Sequence, residues 1–288
     1  MNQIPVAAEE HAAHGAPSHI ITSYPSRDTT LGQLAISRAL PLRERRMIGP
    51  WCFLDRFGPL AFTTGKPMDV PPHPHMGLQT VSWLLEGEVL HTDSLGCEAT
   101  VRPGGVNVMT AGRGISHAEQ TPIRHSGSLT RRLNGVQLWI ALPDAHRNVE
   151  PSFAGIAETP LCELPGGLLR VIAGTLGGAR SPASHYSPLV GADVQVHAGA
   201  AFEIELDPAF EHALLVLDGE CLLEGRPLHD RAPHYLTPGR SSAAFASPAG
   251  GRLLLIGGPP FGETIMMWWN FVARTPEEIA TARADWEA

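Results

Sequence analysis

Hydrophobic positions along the chain fall in short runs that are separated by turn residues. Three such runs cover residues 81–85, 136–140 and 168–172. A Gly or a Pro follows each run within a few positions. Short strands at this spacing are typical of a β-sandwich or barrel, whereas strand–helix units would add longer segments of helical periodicity. Most of the chain is therefore predicted to be β-structure.

The C-terminal end has a different pattern. Thr275 and Glu278 are spaced as the N-cap and third residue of a capping box, and Pro276 falls at the first helical position. Apolar residues then recur at helical spacing, namely Ile279, Ala282 and Trp286. This pattern predicts one short helix that closes the chain.

An internal repeat divides the chain into two halves. Residues 84–88 resemble residues 217–220, and their glycines, Gly87 and Gly219, are 132 positions apart. Residues 102–105 resemble residues 237–240, and their prolines, Pro103 and Pro238, are 135 positions apart. Two motifs that recur at nearly one offset indicate two similar antiparallel barrels that pack together.

The repeat and the turn-rich stretch at residues 142–166 set the predicted domain bounds. Residues 1–20 are expected to form a flexible N-terminal tail, and residues 21–150 the first barrel. Residues 151–288 are expected to form the second barrel, which ends in the short helix. The predicted fold class is therefore all-β with two domains.

Composition and charge exclude several classes of protein. The 21 Lys and Arg against 29 Asp and Glu give a net charge of −8, which argues against direct binding to nucleic acid or to an anionic membrane. No apolar segment is long enough to span a bilayer. The four cysteines form no C-x-x-C pair, and the first residues lack the pattern of a secretory signal. We expect a soluble, cytoplasmic monomer.

Two short motifs carry candidate chemistry. His73 and His75 are two positions apart, and so are His117 and Glu119. In a strand this spacing points both side chains to one face. If the two strands adjoin inside a barrel, three imidazole nitrogens and one carboxylate oxygen converge on a first-row divalent ion and leave coordination positions open. The sequence therefore predicts one metal site, with His73, His75, His117 and Glu119 as its ligands.

The second half is expected to lack this site. A shift of 132 positions takes the first pair to Glu205 and Asp207, an acidic pair interpreted as a solvated strand end. A shift of 135 positions takes the second pair to Arg252 and Leu254.

The remaining histidines are interpreted as incidental. His91 and His125 are expected in turns or loops, and those of the second half, which include His185, His212 and His234, on its surface. Gln79 is four positions after His75, so in a continuous strand its side chain would point to the same face. It is expected either to hydrogen-bond a ligand imidazole or substrate, or to face a wet cavity mouth.

Several motifs in the first half, in order, resemble the pirin family of the cupin superfamily. They are HPHMG at 73–77, LEGEV at 85–89, HTDSLG at 91–96, MTAGRGISHAE at 109–119 and GVQLW at 135–139. The resemblance implies a bicupin of two cupin-type barrels with one mononuclear metal, usually iron, in the first. The family's ligands fall on His73, His75, His117 and Glu119. Fe is the expected metal, and Mn, Ni, Cu, Co and Zn are alternatives, because affinity order and cellular supply decide between them.

The resemblance also implies two alternative functions. One is a quercetin 2,3-dioxygenase-type enzyme that acts on a flavonol or similar small aromatic with O₂, in which Glu119 serves as a ligand or as the catalytic base. The other is a metal-dependent, redox-switched regulatory protein that binds transcription factors or metabolic enzymes without turnover. Cavity access distinguishes them, since an enzyme needs an open, partly apolar pocket beside the metal.

Overall fold

The computed structural model describes residues 21–31, 34–62, 68–122, 131–230 and 232–288. The predicted flexible tail and His125 lie outside the described residues. The described strands and the helix are, in chain order, β1 (Ile21–Ser23), β2 (Arg27–Leu31), β3 (Leu34–Leu40), β4 (Trp51–Phe62), β5 (Asp69–His75), β6 (Leu78–Glu86), β7 (Val89–Asp93), β8 (Glu98–Val101), β9 (Val106–Thr110), β10 (Ile115–Gln120), β11 (Arg131–Ala141), β12 (Ser152–Ile156), β13 (Leu161–Leu164), β14 (Gly167–Leu176), β15 (Ala179–Arg180), β16 (Val190–Val196), β17 (Ala200–Glu205), β18 (Glu211–Gly219), β19 (Leu222–Leu223), β20 (Arg226–Pro227), β21 (His234–Leu236), β22 (Ser242–Ser247), β23 (Gly251–Gly258), β24 (Met266–Trp268), β25 (Phe271–Ala273) and α1 (Pro276–Glu287).

The two halves repeat one arrangement of a large and a small antiparallel sheet. The large sheets run β12-β9-β6-β11-β4-β3-β2 and β1-β21-β18-β23-β16-β14-β13, with β15 beside β14. The small sheets run β5-β10-β7-β8 and β17-β22-β19-β20. Apart from β15 and the hairpin of β24 and β25, each described strand has a counterpart at the same place in the other half. The prediction of two similar antiparallel barrels is confirmed.

One of the two repeated motifs marks equivalent positions, and the other does not. Gly87 follows β6 with φ +91°, and Gly219 ends β18 with φ +66°. Since β6 and β18 are counterparts, the offset of 132 is structurally correct. The turn at Pro103 precedes β9, whereas the turn at Pro238 follows β21, the counterpart of β9. The offset of 135 therefore links turns at different places in the two barrels.

Two strands pair across the predicted domain bounds, one near each end of the first predicted barrel. Strand β1 pairs with β21 and so forms the edge of the second large sheet. Strand β12 pairs with β9 at the equivalent edge of the first large sheet, although it follows residue 150. Each large sheet is thus completed by a strand from the far side of the predicted division.

The C-terminal helix forms as predicted, but it closes the first barrel rather than the second. The Thr275 hydroxyl accepts a hydrogen bond from the Glu278 N–H at 3.3 Å, as an N-cap does. The hairpin of β24 and β25 precedes the helix, and its Val272 N–H donates to the Met76 carbonyl at 2.9 Å. Ile279 is buried on the helix, whereas Trp286 is 40% exposed.

The two large sheets pack face to face through a shared core. Trp51 and Trp83 of the first sheet lie in one buried cluster with Leu215 and Ile256 of the second. The Trp83 indole N–H donates to Asp193 Oδ2 at 2.8 Å, across the boundary between the barrels. Because side chains alternate along a strand, the sequence neighbours of Trp51 and Trp83 point the other way, into the first barrel. The interface therefore fixes which face of the sheet is left for a site.

In the described part of the chain, no helix has the length and apolar character needed to cross a membrane. All four cysteines lie in described segments and are free thiols.

Candidate metal centre

Prolines place both histidines of the first motif on an edge strand. Strand β5 lies at the end of the small sheet and pairs on one side only, with β10. Pro71, Pro72 and Pro74 cannot donate ladder hydrogen bonds, so an edge strand is where they are tolerated. His73 is the register partner of His117, and a bulge follows between His117 and Glu119. The two predicted motifs therefore lie side by side on adjoining strands.

A glycine ends the histidine strand. Gly77 has φ +74°, and an added Cβ would lie 2.0 Å from the Val272 carbonyl oxygen. Strands β5 and β6 consequently belong to different sheets, and Gln79 does not extend the face of His75.

The predicted contact of Gln79 with a ligand imidazole or a wet cavity mouth is wrong. Gln79 is 1% exposed. Its Nε2 donates to Thr110 Oγ1 at 2.9 Å and to the Ser184 carbonyl at 3.1 Å. Its Oε1 lies 3.0 Å from Nδ1 of His185. Gln79 thus holds a segment of the second half against the first barrel.

The three histidines converge. One ring nitrogen of each of His73, His75 and His117 lies within 4.8 Å of those of the other two. The ring centroids of His73 and His117 are 4.4 Å apart, and those of His75 and His117 are 4.9 Å apart. This spacing suits three nitrogens that share one ion.

Hydrogen bonds leave one nitrogen of each ring free. His73 Nδ1 lies 2.8 Å from the Pro71 carbonyl oxygen, and His75 hydrogen-bonds the Asn270 backbone. Within the described residues, His75 Nδ1 and His117 Nε2 are buried without a hydrogen-bond partner. Buried polar atoms without a partner are destabilising unless a ligand satisfies them. The histidines therefore fit a metal ion.

Burial keeps these rings neutral. Desolvation lowers the pKa of His75 and of His117, and neighbouring histidines lower both pKa values further. Burial also lowers the pKa of His73. Neutral imidazole is the form that ligates a metal, so the cluster is held in its binding state at neutral pH.

Glu119 lies on strand β10 and lines the same cavity as the histidines. Among the described side chains, His73, His75 and His117 form the one group of three possible ligands close enough to hold an ion, and Glu119 is not part of it. Its Oε1 accepts a hydrogen bond from the Ser82 hydroxyl at 3.0 Å. Burial raises the pKa of Glu119 to about 7, against the opposing effect of hydrogen bonds from Ser82 and Gln137. The role of Glu119 as the fourth ligand stays a prediction.

The cavity beside the histidines has a volume of about 430 Å³, and aromatic, aliphatic and polar side chains line it. Phe53 and Trp139 stack there with ring centroids 4.0 Å apart. Arg38 forms a two-point ion pair with Asp55, at 2.8 and 2.7 Å, above the Phe53 ring. Trp269 lines the cavity and is 49% exposed, so the cavity reaches solvent at this residue. A planar, partly polar molecule suits such a pocket.

The second barrel has an apolar interior at the equivalent place. Strands β17 and β22 correspond to β5 and β10, and their register partners Phe202 and Phe245 pack in the interior of the second barrel. Phe245 is 1% exposed and lies in the core of the second barrel. The second barrel's described residues hold no group of metal-ligating side chains.

The constant sequence offset found the wrong counterparts for the second motif. Arg252 and Leu254 lie on β23, the counterpart of β11, because the chain between the motifs differs in length. Glu205 and Asp207 are exposed, as expected for a solvated strand end.

Three histidines outside the two motifs, His91, His212 and His234, were misplaced by sequence reasoning, whereas His197 and His229 are exposed as expected. His91 is not in a loop but in β7, 3% exposed, with Nδ1 3.3 Å from His117 Nδ1. Its alternation with Asp93 in the sequence was the available signal. His212 and His234 are 1% and 2% exposed, so they are buried and not on the surface of the second half.

Comparisons with known proteins agree with this geometry. A family model described as Pirin matches residues 33–140, and one described as Pirin C-terminal cupin domain matches residues 191–288. The chain belongs to the pirin family. A Pseudomonas aeruginosa relative, provisionally named a quercetin 2,3-dioxygenase, is 43% identical over 93% of this chain and 84% of its own length.

Other pirins and a solved structure extend the comparison. A pirin-like protein of Caulobacter vibrioides is 38% identical over 92% of both chains. A crystal structure of quercetin 2,3-dioxygenase from Acinetobacter baumannii has a TM-score of 0.87 at 42% identity, and the match covers 93% of this chain and 88% of that one. The bicupin fold is therefore confirmed.

Proposed function

We propose that this pirin is a metal-dependent dioxygenase of the quercetin 2,3-dioxygenase type, acting on a flavonol or a similar small aromatic with O₂. The observation that carries the proposal is the position of three neutral, inward-facing imidazoles at the wall of a cavity of about 430 Å³ that Phe53 and Trp139 also line. Support comes from the Acinetobacter baumannii structure and the Pseudomonas aeruginosa relative, both named for this activity.

His73, His75 and His117 would hold a divalent ion through their free ring nitrogens, with Glu119 as the fourth ligand or, when it leaves the ion, as the general base. We favour iron, and Mn, Ni, Cu, Co and Zn are compatible with the same donor set. Such an ion supplies Lewis acidity toward a substrate hydroxyl and a path for electrons toward O₂.

The remaining side chains bind the substrate and move its proton. Phe53 and Trp139 provide an aromatic wall against which a planar ring packs. Glu119, whose pKa is raised to about 7 by burial, accepts the proton of the substrate hydroxyl as a general base. Ser82 donates to Glu119 Oε1 at 3.0 Å and so orients the carboxylate.

The regulatory alternative is less well supported. A redox switch needs no ligand-sized cavity beside its metal. This protein has such a cavity, which adjoins the histidines and reaches solvent at Trp269. Four dispersed free thiols and a net charge of −8 favour a cytoplasmic protein that acts on a small molecule, without direct contact to nucleic acid. We also propose that it acts as a monomer.

The test is aerobic turnover of quercetin by iron-loaded protein, followed by flavonol absorbance and O₂ uptake. We expect flavonol absorbance and dissolved O₂ to fall together in the wild type and neither to fall in His117→Ala. Glu119→Gln should bind quercetin but turn it over slowly. No flavonol consumption by protein with a confirmed iron content would refute the dioxygenase proposal.

A further inference from the structure

Two buried side chains behind the histidine cluster form a chain of contacts with His117. Nδ1 of His117 lies 3.3 Å from Nδ1 of His91. Nε2 of His91 lies 2.9 Å from Oδ2 of Asp93. The side chains of His91 and Asp93 are 4% and 0% exposed, so water does not substitute for these contacts.

Neighbouring groups hold the side chains of Asp93 and His91 in place. The Asp93 Oδ1 accepts backbone hydrogen bonds from Leu95 at 2.9 Å and Cys97 at 3.0 Å, which turns the other oxygen toward His91. The His91 ring stacks on Phe153 with centroids 4.3 Å apart and planes 15° apart. Strand pairing places Asp93 directly opposite His117.

The direction of each hydrogen bond follows from the carboxylate. Asp93 only accepts, so His91 donates from Nε2 and its Nδ1 carries a lone pair. His117 must then donate from Nδ1 to His91. Its Nε2, which is buried without a partner among the described residues, is left as a lone pair that faces the cluster.

We propose that His91 and Asp93 are positioning residues that fix the tautomer and ring orientation of His117 for metal binding. The proposal rests on the metal site of the proposed function and holds whichever substrate the site takes. A carboxylate usually contacts a ligating histidine directly. Here it acts through a second imidazole.

Two variants separate this role from a packing role. His91→Phe keeps a ring to stack on Phe153 and removes both nitrogens. Asp93→Asn keeps the size and the acceptor for the backbone N–H groups, but the amide N–H faces His91 Nε2. His91 then carries its proton on Nδ1, and His117 is driven to protonate Nε2. Ser116→Ala is the matched control, because Ser116 adjoins His117 on the same strand but its side chain does not contact His91, Asp93 or His117.

The experiment measures two properties of purified protein without substrate. The affinity for Zn²⁺ is obtained by competition with a chromogenic chelator, and the tautomer of His117 by ¹⁵N NMR of metal-free protein labelled at histidine. We expect both variants to bind Zn²⁺ about 10–100-fold more weakly, as for loss of other outer-shell partners. Ser116→Ala should match the wild type. In Asp93→Asn the His117 proton should move from Nδ1 to Nε2.

Zn²⁺ affinity within twofold of the wild type in both variants would overturn the proposal. So would a wild-type His117 protonated at Nε2, a measurement that needs no variant to fold. Weak quercetin turnover with normal Zn²⁺ binding and the expected tautomer would count against the dioxygenase alone.

Discussion

The two barrels share one strand order but have opposite interiors. In the first, His73 faces His117 across adjoining strands, and in the second Phe202 faces Phe245 across the corresponding strands. The first pair adjoins a cavity of about 430 Å³, whereas the second belongs to a continuous apolar core. The backbone arrangement is thus compatible with either a site or a packed core, and the inward side chains decide which forms.

The second barrel still contributes to the first. Its Asp193 accepts from Trp83, and its Ser184 carbonyl accepts from Gln79. Both partners lie on β6, the strand that also carries Ser82, whose hydroxyl donates to Glu119 in the cavity wall. The second barrel therefore acts as a rigid support for one wall of the site.

The largest expected effect is on metal binding by the first barrel. His117→Ala removes one of three converging nitrogens and should weaken Zn²⁺ binding by more than about 100-fold, beyond the loss expected for an outer-shell partner. The free energy of unfolding of metal-free protein should fall less than for a packed core residue, since the lost contact with His91 is partly offset by removal of a buried imidazole nitrogen without a partner. Chelator competition and urea denaturation check the two parts.

The reciprocal change in the second barrel should affect stability alone. Phe245→Ala leaves a cavity in a packed core and should cost about 3–5 kcal/mol of unfolding free energy. Zn²⁺ affinity of the folded variant should stay within a few-fold of the wild type. A loss of Zn²⁺ binding as large as in His117→Ala would mean that the two interiors are not independent.

Acid should destabilise the second half through His212. Burial lowers its pKa from 6.5 to about 4, with Asp207 opposing and Arg240 adding to the shift. The unfolded chain therefore binds more protons below pH 6.5, and stability should fall by about 3 kcal/mol between pH 7 and 4 from this group. Urea denaturation across this pH range should give a flatter curve for His212→Gln. Parallel curves would show that His212 titrates normally in the folded state.

The smallest expected effect concerns the contact between the barrels. Gln79→Ala removes hydrogen bonds to Thr110, Ser184 and His185 and should cost about 2 kcal/mol of unfolding free energy. Thermal or urea denaturation measures this cost. Zn²⁺ affinity should be unchanged, since Gln79 contacts no histidine of the cluster. A tenfold loss of affinity would restore the orienting role that strand parity predicted.

The sequence was informative where a local pattern controls local structure. Alternation in a strand brought His73, His75, His117 and Glu119 to the same cavity, and the capping box at Thr275 placed the helix. Both patterns act within a few residues, so no tertiary information was needed.

Long-range pairing was not readable in the same way. Strand β1 joins a sheet more than 200 residues away, and α1 returns to the first barrel through contacts of Val272. Gln79 was misread because Gly77 ends the strand at a backbone contact that the sequence does not reveal. His91 was missed because its partner His117 lies on another strand.

The most direct test of a single metal site is anomalous diffraction from crystals of Zn²⁺-loaded protein. The account predicts one peak per chain in the first barrel, about 2.0–2.1 Å from one ring nitrogen of each of His73, His75 and His117. The same map decides whether a Glu119 oxygen completes the set. A peak between Phe202 and Phe245, or no peak among the three histidines at full Zn²⁺ loading, would contradict it.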